Sequence, residues 1–122
     1  MVFLRDKVLA RKRRKKRIRK KVWGSEDKPR LCVYKSNRYI YAQLVDDTKG
    51  KTLAFVSSVN YREEKGGANY KSVEIARKLG EKLGRIAVKK GIKRIVFDRS
   101  GYPYHGRVKA LAEGVRDQGI KF

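Results

Sequence analysis

The chain has 122 residues, 34 of them Lys or Arg against 12 Asp or Glu, for a formal net charge of +22. At this length, and with 40% hydrophobic content, it can bury one small core but has no room for a second, and wholesale disorder is excluded. A lone cysteine, Cys32, rules out an internal disulfide, no stretch approaches the roughly 18 apolar residues of a membrane span, and the basic start is unlike a secretory signal.

Residues 1 to about 23 read as a basic arm. Arg11, Lys12, Arg13, Arg14, Lys15, Lys16, Arg17, Arg19, Lys20 and Lys21 form a run broken only by Ile18. Such a run repels itself and cannot be buried unpaired, so it needs a dense array of negative charge. Nucleic acid is the usual supplier, with about one phosphate charge per 1.7 Å of duplex axis. The run has no apolar face to bury in a lipid surface, so no membrane partner is expected. Leu4, Val8 and Leu9 share helical spacing, and the arm is expected to be a helix on its target and frayed alone. Gly24 to Pro29 reads as a linker, giving an arm and linker over 1–29 and a globular domain over 30–122. Residues 1–30 hold 14 basic and 3 acidic side chains and residues 31–122 hold 20 and 9, so the cationic footprint covers the whole chain.

From Arg30 the period becomes two. Arg30 to Ser36 puts Leu31 and Val33 opposite Cys32 and Tyr34. Asn37-Arg38 looks like a tight connection. Tyr39 to Val45 puts Ile40, Ala42 and Leu44 opposite Tyr39, Tyr41 and Gln43. Residues 46–50 supply a turn, and Lys51 to Val59 makes a third strand, so an antiparallel meander is expected. Asn60 to Asn69, with Gly66-Gly67, reads as a loop. From Tyr70 to Lys90 the period is helical. Val73, Ala76, Leu79, Leu83, Ile86 and Ala87 form a stripe, Lys71, Arg77, Lys78, Lys82, Arg85 and Lys89 face away, and Gly91 is the stop. Lys93 to Phe97 is a short strand, 101–106 a Gly/Pro loop, and about 107–118 a last helix burying Val108, Leu111, Ala112 and Val115. The predicted fold is α/β (α+β-like). It is a mixed sheet of about four strands with two helices packed on one face, plus the basic N-terminal arm.

Two further constellations suit nucleic acid. Tyr34, Tyr39, Tyr41 and Gln43 would lie on the sheet face the helices leave uncovered, flanked by Arg30, Lys35 and Arg38. Such rings can stack on splayed bases while the cations hold phosphates, or simply brace the sheet as cross-strand partners. The loop Phe97 to Arg107 has two glycines that permit close backbone approach. It precedes a helix N-terminus able to seat a phosphate, with Arg99 and Arg107 on either side. Asp98, Ser100 and His105 lie too close in one loop to form a hydrolase triad. One His and one Cys cannot make a zinc site. No catalytic residue, metal, cofactor or small-molecule substrate is expected. A DNA-compacting protein is the alternative reading, and a nuclease using Asp46, Asp47 and Asp98 is the third.

Arg30-Leu31-Cys32-Val33-Tyr34-Lys35-Ser36 followed by Tyr39-Ile40-Tyr41-Ala42-Gln43 resembles the strand pair of the large-subunit ribosomal protein eighteen family. Phe97-Asp98-Arg99-Ser100-Gly101 and Tyr104-His105-Gly106-Arg107-Val108-Lys109-Ala110-Leu111-Ala112 are similar to its C-terminal signature, and Gly119 to Phe122 to its ending. The resemblance implies a structural protein that binds 5S ribosomal RNA and large-subunit ribosomal RNA in the central protuberance, beside neighbouring large-subunit proteins, in the ribosome of the cytoplasm or of an organelle. It further implies RNA contacts by the Arg11–Lys21 arm, Arg30, Lys35, Ser36, Tyr39, Tyr41, Gln43, Arg99, Ser100, Tyr104, His105, Gly106 and Arg107. Lys35 and Tyr39 stand where the family often has Arg and His.

Overall fold

The computed structural model describes residues 2–19, 22–36, 39–61 and 73–122. Along the chain run α1 (Val2–Arg19), β1 (Arg30–Lys35), β2 (Ile40–Asp46), β3 (Lys51–Ser57), a 3₁₀ turn (Ser58–Tyr61), α2 (Val73–Lys89), β4 (Val96–Asp98) and α3 (Arg107–Asp117). Lys20, Lys21, Asn37, Arg38 and residues 62–72, and with them the predicted tight connection, the Gly66-Gly67 loop and the start of the second helix, lie outside the described residues.

The sheet order is β3-β2-β1-β4. β1 pairs antiparallel with β2, and β2 with β3, as the meander requires. β4 joins β1 in parallel, Leu31 opposite Phe97, because the chain crosses over through α2 first. The sheet is therefore mixed, and the α/β class is as expected. Leu31, Val33, Ile40, Ala42, Leu44 and Val56 are all buried on one face, against Ile75, Ala76, Leu79 and Leu83 of α2 and Val108, Leu111 and Val115 of α3. The period-two alternation of β1 and β2 produces this directly, since alternate side chains leave a strand on opposite faces.

Some boundaries differ from the sequence reading. β3 stops at Ser57 rather than Val59, because buried Ser58 turns its Oγ to accept the Ile40 amide at 2.9 Å. That bond takes the place of a ladder rung and opens the 3₁₀ turn. Val73 is exposed, not part of the buried stripe; it is the first described residue of α2, and Ile75 fills the core instead. The fourth strand is shorter than predicted and shifted to Val96–Asp98. Ile95 just before it is buried, and its amide donates to the Lys121 carbonyl, so the C-terminal tail extends the sheet edge. Ile120 is buried, and Phe122 packs on Phe97 with ring centroids 5.8 Å apart.

α2 and α3 approach closely through Gly80, Gly84 and Gly114. A methyl at Gly80 would fall well inside contact with the Leu111 carbonyl, 2.9 Å from its carbon, and one at Gly114 would lie 2.9 Å from the Glu81 amide nitrogen. The predicted stripe of large residues is thus interleaved with small ones that let the two backbones meet.

Candidate nucleic-acid interface

The side chains pointing away from the core form a continuous aromatic strip. Tyr34 and Tyr41 face each other at 5.9 Å, Tyr39 meets Tyr41 edge-on at 6.4 Å, and Phe55 stacks on Tyr41 at 6.2 Å. Tyr34 and Phe55 remain more than half exposed. The register explains the strip: Tyr34 pairs with Tyr41, and Gln43 with Phe55. Phe55 was not among the predicted contacts, although the same alternation that places Val56 in the core places it outside.

This face is not fully uncovered, as the sequence reading had it. α1 stands along one side, and between helix and sheet lies a groove of about 550 Å³. Lys15 and Arg19 line one wall, Tyr34, Tyr41, Gln43 and Phe55 the sheet side, and Cys32 and Ser100 also line it. Lys12, Arg13, Lys16 and Arg17 are exposed around the helix, whereas Arg11, Arg14 and Arg19 are half-buried.

The half-buried cations fasten α1 to the body. Arg14 donates from Nε to the Gly101 carbonyl at 2.9 Å, and the Arg11 guanidinium lies 4.7 Å from the Tyr102 ring centre. Lys35 Nζ is also 4.7 Å from that ring centre. Gly101 has φ +80°, and a side chain there would lie 2.6 Å from the Arg11 carbonyl oxygen. The close backbone approach that this glycine permits is made to α1 itself. Tyr102 is buried, and its hydroxyl takes the Lys35 amide and donates to the Lys35 carbonyl, tying loop to β1.

A carboxylate–guanidinium node holds the other end. Arg30 donates to Asp47 through Nε (2.8 Å) and Nη2 (3.0 Å) and to Asp98 through Nη1 (2.7 Å). Arg30 also lines the groove, but its side chain is only 13% exposed and its guanidinium is held by these carboxylates. Asp47 also accepts from the Gly24 amide at 2.8 Å, while its own amide donates to the Gly24 carbonyl. The predicted linker is therefore clamped at Gly24, which is buried. Asp98, fully buried, accepts the Ser100 amide at 2.8 Å and sets the loop's first turn. Asp46 accepts from Thr48, the turn role expected of it. Burial pushes the Cys32 thiol up to about 11, and it donates to Asp98 as a neutral group.

The Arg30 hydrogen bonds hold the Asp47 carboxyl down at about 2. A depressed folded-state value stabilises the fold above the ordinary carboxylate range, and that contribution fades as pH falls from about 4 towards 2. Tm measured across this window should fall for the wild-type chain, and the Asp47→Asn variant should show a smaller fall from a lower starting point.

The remaining predicted contacts are spread more widely. Lys35 is half-buried, and Ser36 closes the β1–β2 connection by accepting the Tyr39 amide at 3.0 Å. Gln43 accepts from Thr52. Arg99 donates to the Tyr102 carbonyl at 2.7 Å, and Ser100 is buried at φ +54°. Tyr104 and His105 are exposed on the far part of the loop, Tyr104 edge-on to Phe97, and do not line the groove. Gly106 caps α3 with no side-chain hydrogen bond, and Arg107 is its first residue, so a helix N-terminus opens beside two exposed polar side chains.

The chain matches the family described as "Ribosomal L18 of archaea, bacteria, mitoch. and chloroplast" over residues 5–122. It is 48% identical over 122 residues to the "Large ribosomal subunit protein uL18" of Thermotoga petrophila, covering all of both chains. It is 53% identical over 109 residues to the protein so named in Caldicellulosiruptor saccharolyticus, covering 89% of this chain and 88% of that one. The Bacillus cytotoxicus protein of that name is 47% identical over all of both chains. The chain therefore belongs to the L18 family of ribosomal proteins, as a structural constituent of the large subunit in the cytoplasmic ribosome and not an enzyme.

Proposed function

We propose that the protein binds 5S ribosomal RNA and helps attach it to large-subunit ribosomal RNA in the central protuberance, beside neighbouring large-subunit proteins. It acts by neutralising phosphates and recognising RNA shape. The groove carries this reading: one wall is cationic and the other aromatic. A-form RNA hides its base edges in a deep, narrow groove, so recognition falls on phosphates, 2′-hydroxyls and unstacked bases. Phosphates sit against α1 and the α3 N-terminus, while rings of the strip fix register. Lys20, Lys21 and Arg38 extend the cationic footprint. Arg30 acts here by shaping the interface through Asp47 and Asp98.

Affinity and register are separable. Changing Lys12, Arg13, Lys16 and Arg17 together to Gln should weaken binding to any RNA. The slope of log affinity against log salt should become shallower by about 3, as expected for four lost phosphate contacts. Tyr34→Ala should instead lower the preference for 5S ribosomal RNA over an unrelated folded RNA by about 5-fold or more, leaving the slope unchanged. Equal losses on both RNAs from Tyr34→Ala would show that the sheet is not the reader.

A further inference from the structure

Trp23 is the only tryptophan in the chain, and it is 60% exposed, the most of any large hydrophobic side chain among the described residues. Leaving an indole in water is costly for a chain that has a core to fill, so its position calls for a partner. Its backbone setting is fixed on both sides. Val22 donates its amide to the Ile18 carbonyl at 3.0 Å and accepts from Arg19 at 2.7 Å. Gly24, next in sequence, is bonded through both its amide and its carbonyl to Asp47. The Arg19 guanidinium lies 5.7 Å from the indole ring centre, a cation–π contact that occupies one side of the ring. The same Arg19 lines the groove, so Trp23 adjoins the interface described above.

We infer that Trp23 is a stacking platform for an unpaired nucleobase, with Arg19 bracing the ring from behind. The surrounding charge selects the partner. Arg17 and Lys16 are exposed nearby in sequence, and a cation-rich segment bearing one rigid exposed ring matches a phosphate backbone carrying a base with a free π-face. A fully paired duplex has no such base to offer. An apolar protein surface would have to desolvate these cations unpaired. The inference rests on the RNA-binding reading and adds to it a specific contact outside the predicted set.

The lone tryptophan makes the test direct. Full-length protein is titrated with 5S ribosomal RNA while indole fluorescence and RNA anisotropy are followed together. A perfectly paired RNA duplex of equal phosphate count serves as control. Stacking should quench the fluorescence with 5S ribosomal RNA and leave it nearly unchanged with the duplex. Trp23→Ala should weaken 5S binding by roughly 5- to 100-fold at an unchanged salt slope, and Trp23→Phe should recover much of it. Unchanged melting of both variants would exclude a folding defect. Tight 5S binding with no quenching and an undiminished Trp23→Ala affinity would overturn the stacking role, leaving the ring to a protein neighbour and the RNA reading intact. Failure to prefer 5S ribosomal RNA at all would overturn the RNA reading itself.

Discussion

Arg30→Met is expected to cost about 3–5 kcal/mol of folding stability, read by urea unfolding. The substitution leaves Asp98, fully buried, and Asp47, 9% exposed, without their shared guanidinium. Neither carboxylate can be rehydrated without opening the loop that begins at Ser100 or the clamp on Gly24. Arg30→Lys should recover only part of the loss, because one ammonium cannot reproduce the two-pronged contact to Asp47 together with that to Asp98. Adding Asp98→Asn to Arg30→Met should restore some stability by removing an unpaired buried charge. If Arg30→Met instead folds as stably as wild type yet binds RNA poorly, Arg30 is a direct phosphate contact and not a positioning residue.

Gly80→Ala is the second large effect, a loss of about 3 kcal/mol. On helix propensity alone the change should stabilise α2 by up to about 1 kcal/mol. The sign reverses because the new methyl meets the Leu111 backbone carbonyl, and backbone cannot swing aside as a side chain can. α3 must retreat, loosening Leu111, Val108 and Val115 from the core. Thermal denaturation of Gly80→Ala beside the exposed-site control Arg85→Ala checks this. Comparable melting temperatures would mean that the helices are not in close register.

The strands were legible because β1 and β2 alternate cleanly, and the same alternation placed Tyr34 and Tyr41 together on the outer face of the sheet. The class of partner was legible from charge alone. What local pattern could not show was where the cations point. Arg30 finds Asp47 and Asp98 at separations of 17 and 68 residues, so its neutralisation is a tertiary fact invisible to any window of sequence. The arm likewise reads as a free cationic segment until Gly101, lacking a side chain, admits α1 against the loop. The small residues of α2 and α3 leave no mark in a stripe of large apolar residues, whereas close helix contact depends on the absence of such side chains. Trp23 carried a visible cue: it is an aromatic residue at the end of a charge run.

The central claim is that this cationic surface distinguishes one folded RNA from others by shape. Competition binding at about 150 mM salt, near physiological ionic strength, tests it most directly, with labelled 5S ribosomal RNA challenged by an unrelated folded RNA of equal length and by duplex DNA. The 5S RNA should outcompete both by at least an order of magnitude. Three indistinguishable competition curves would mean that charge alone does the binding, and would contradict the account.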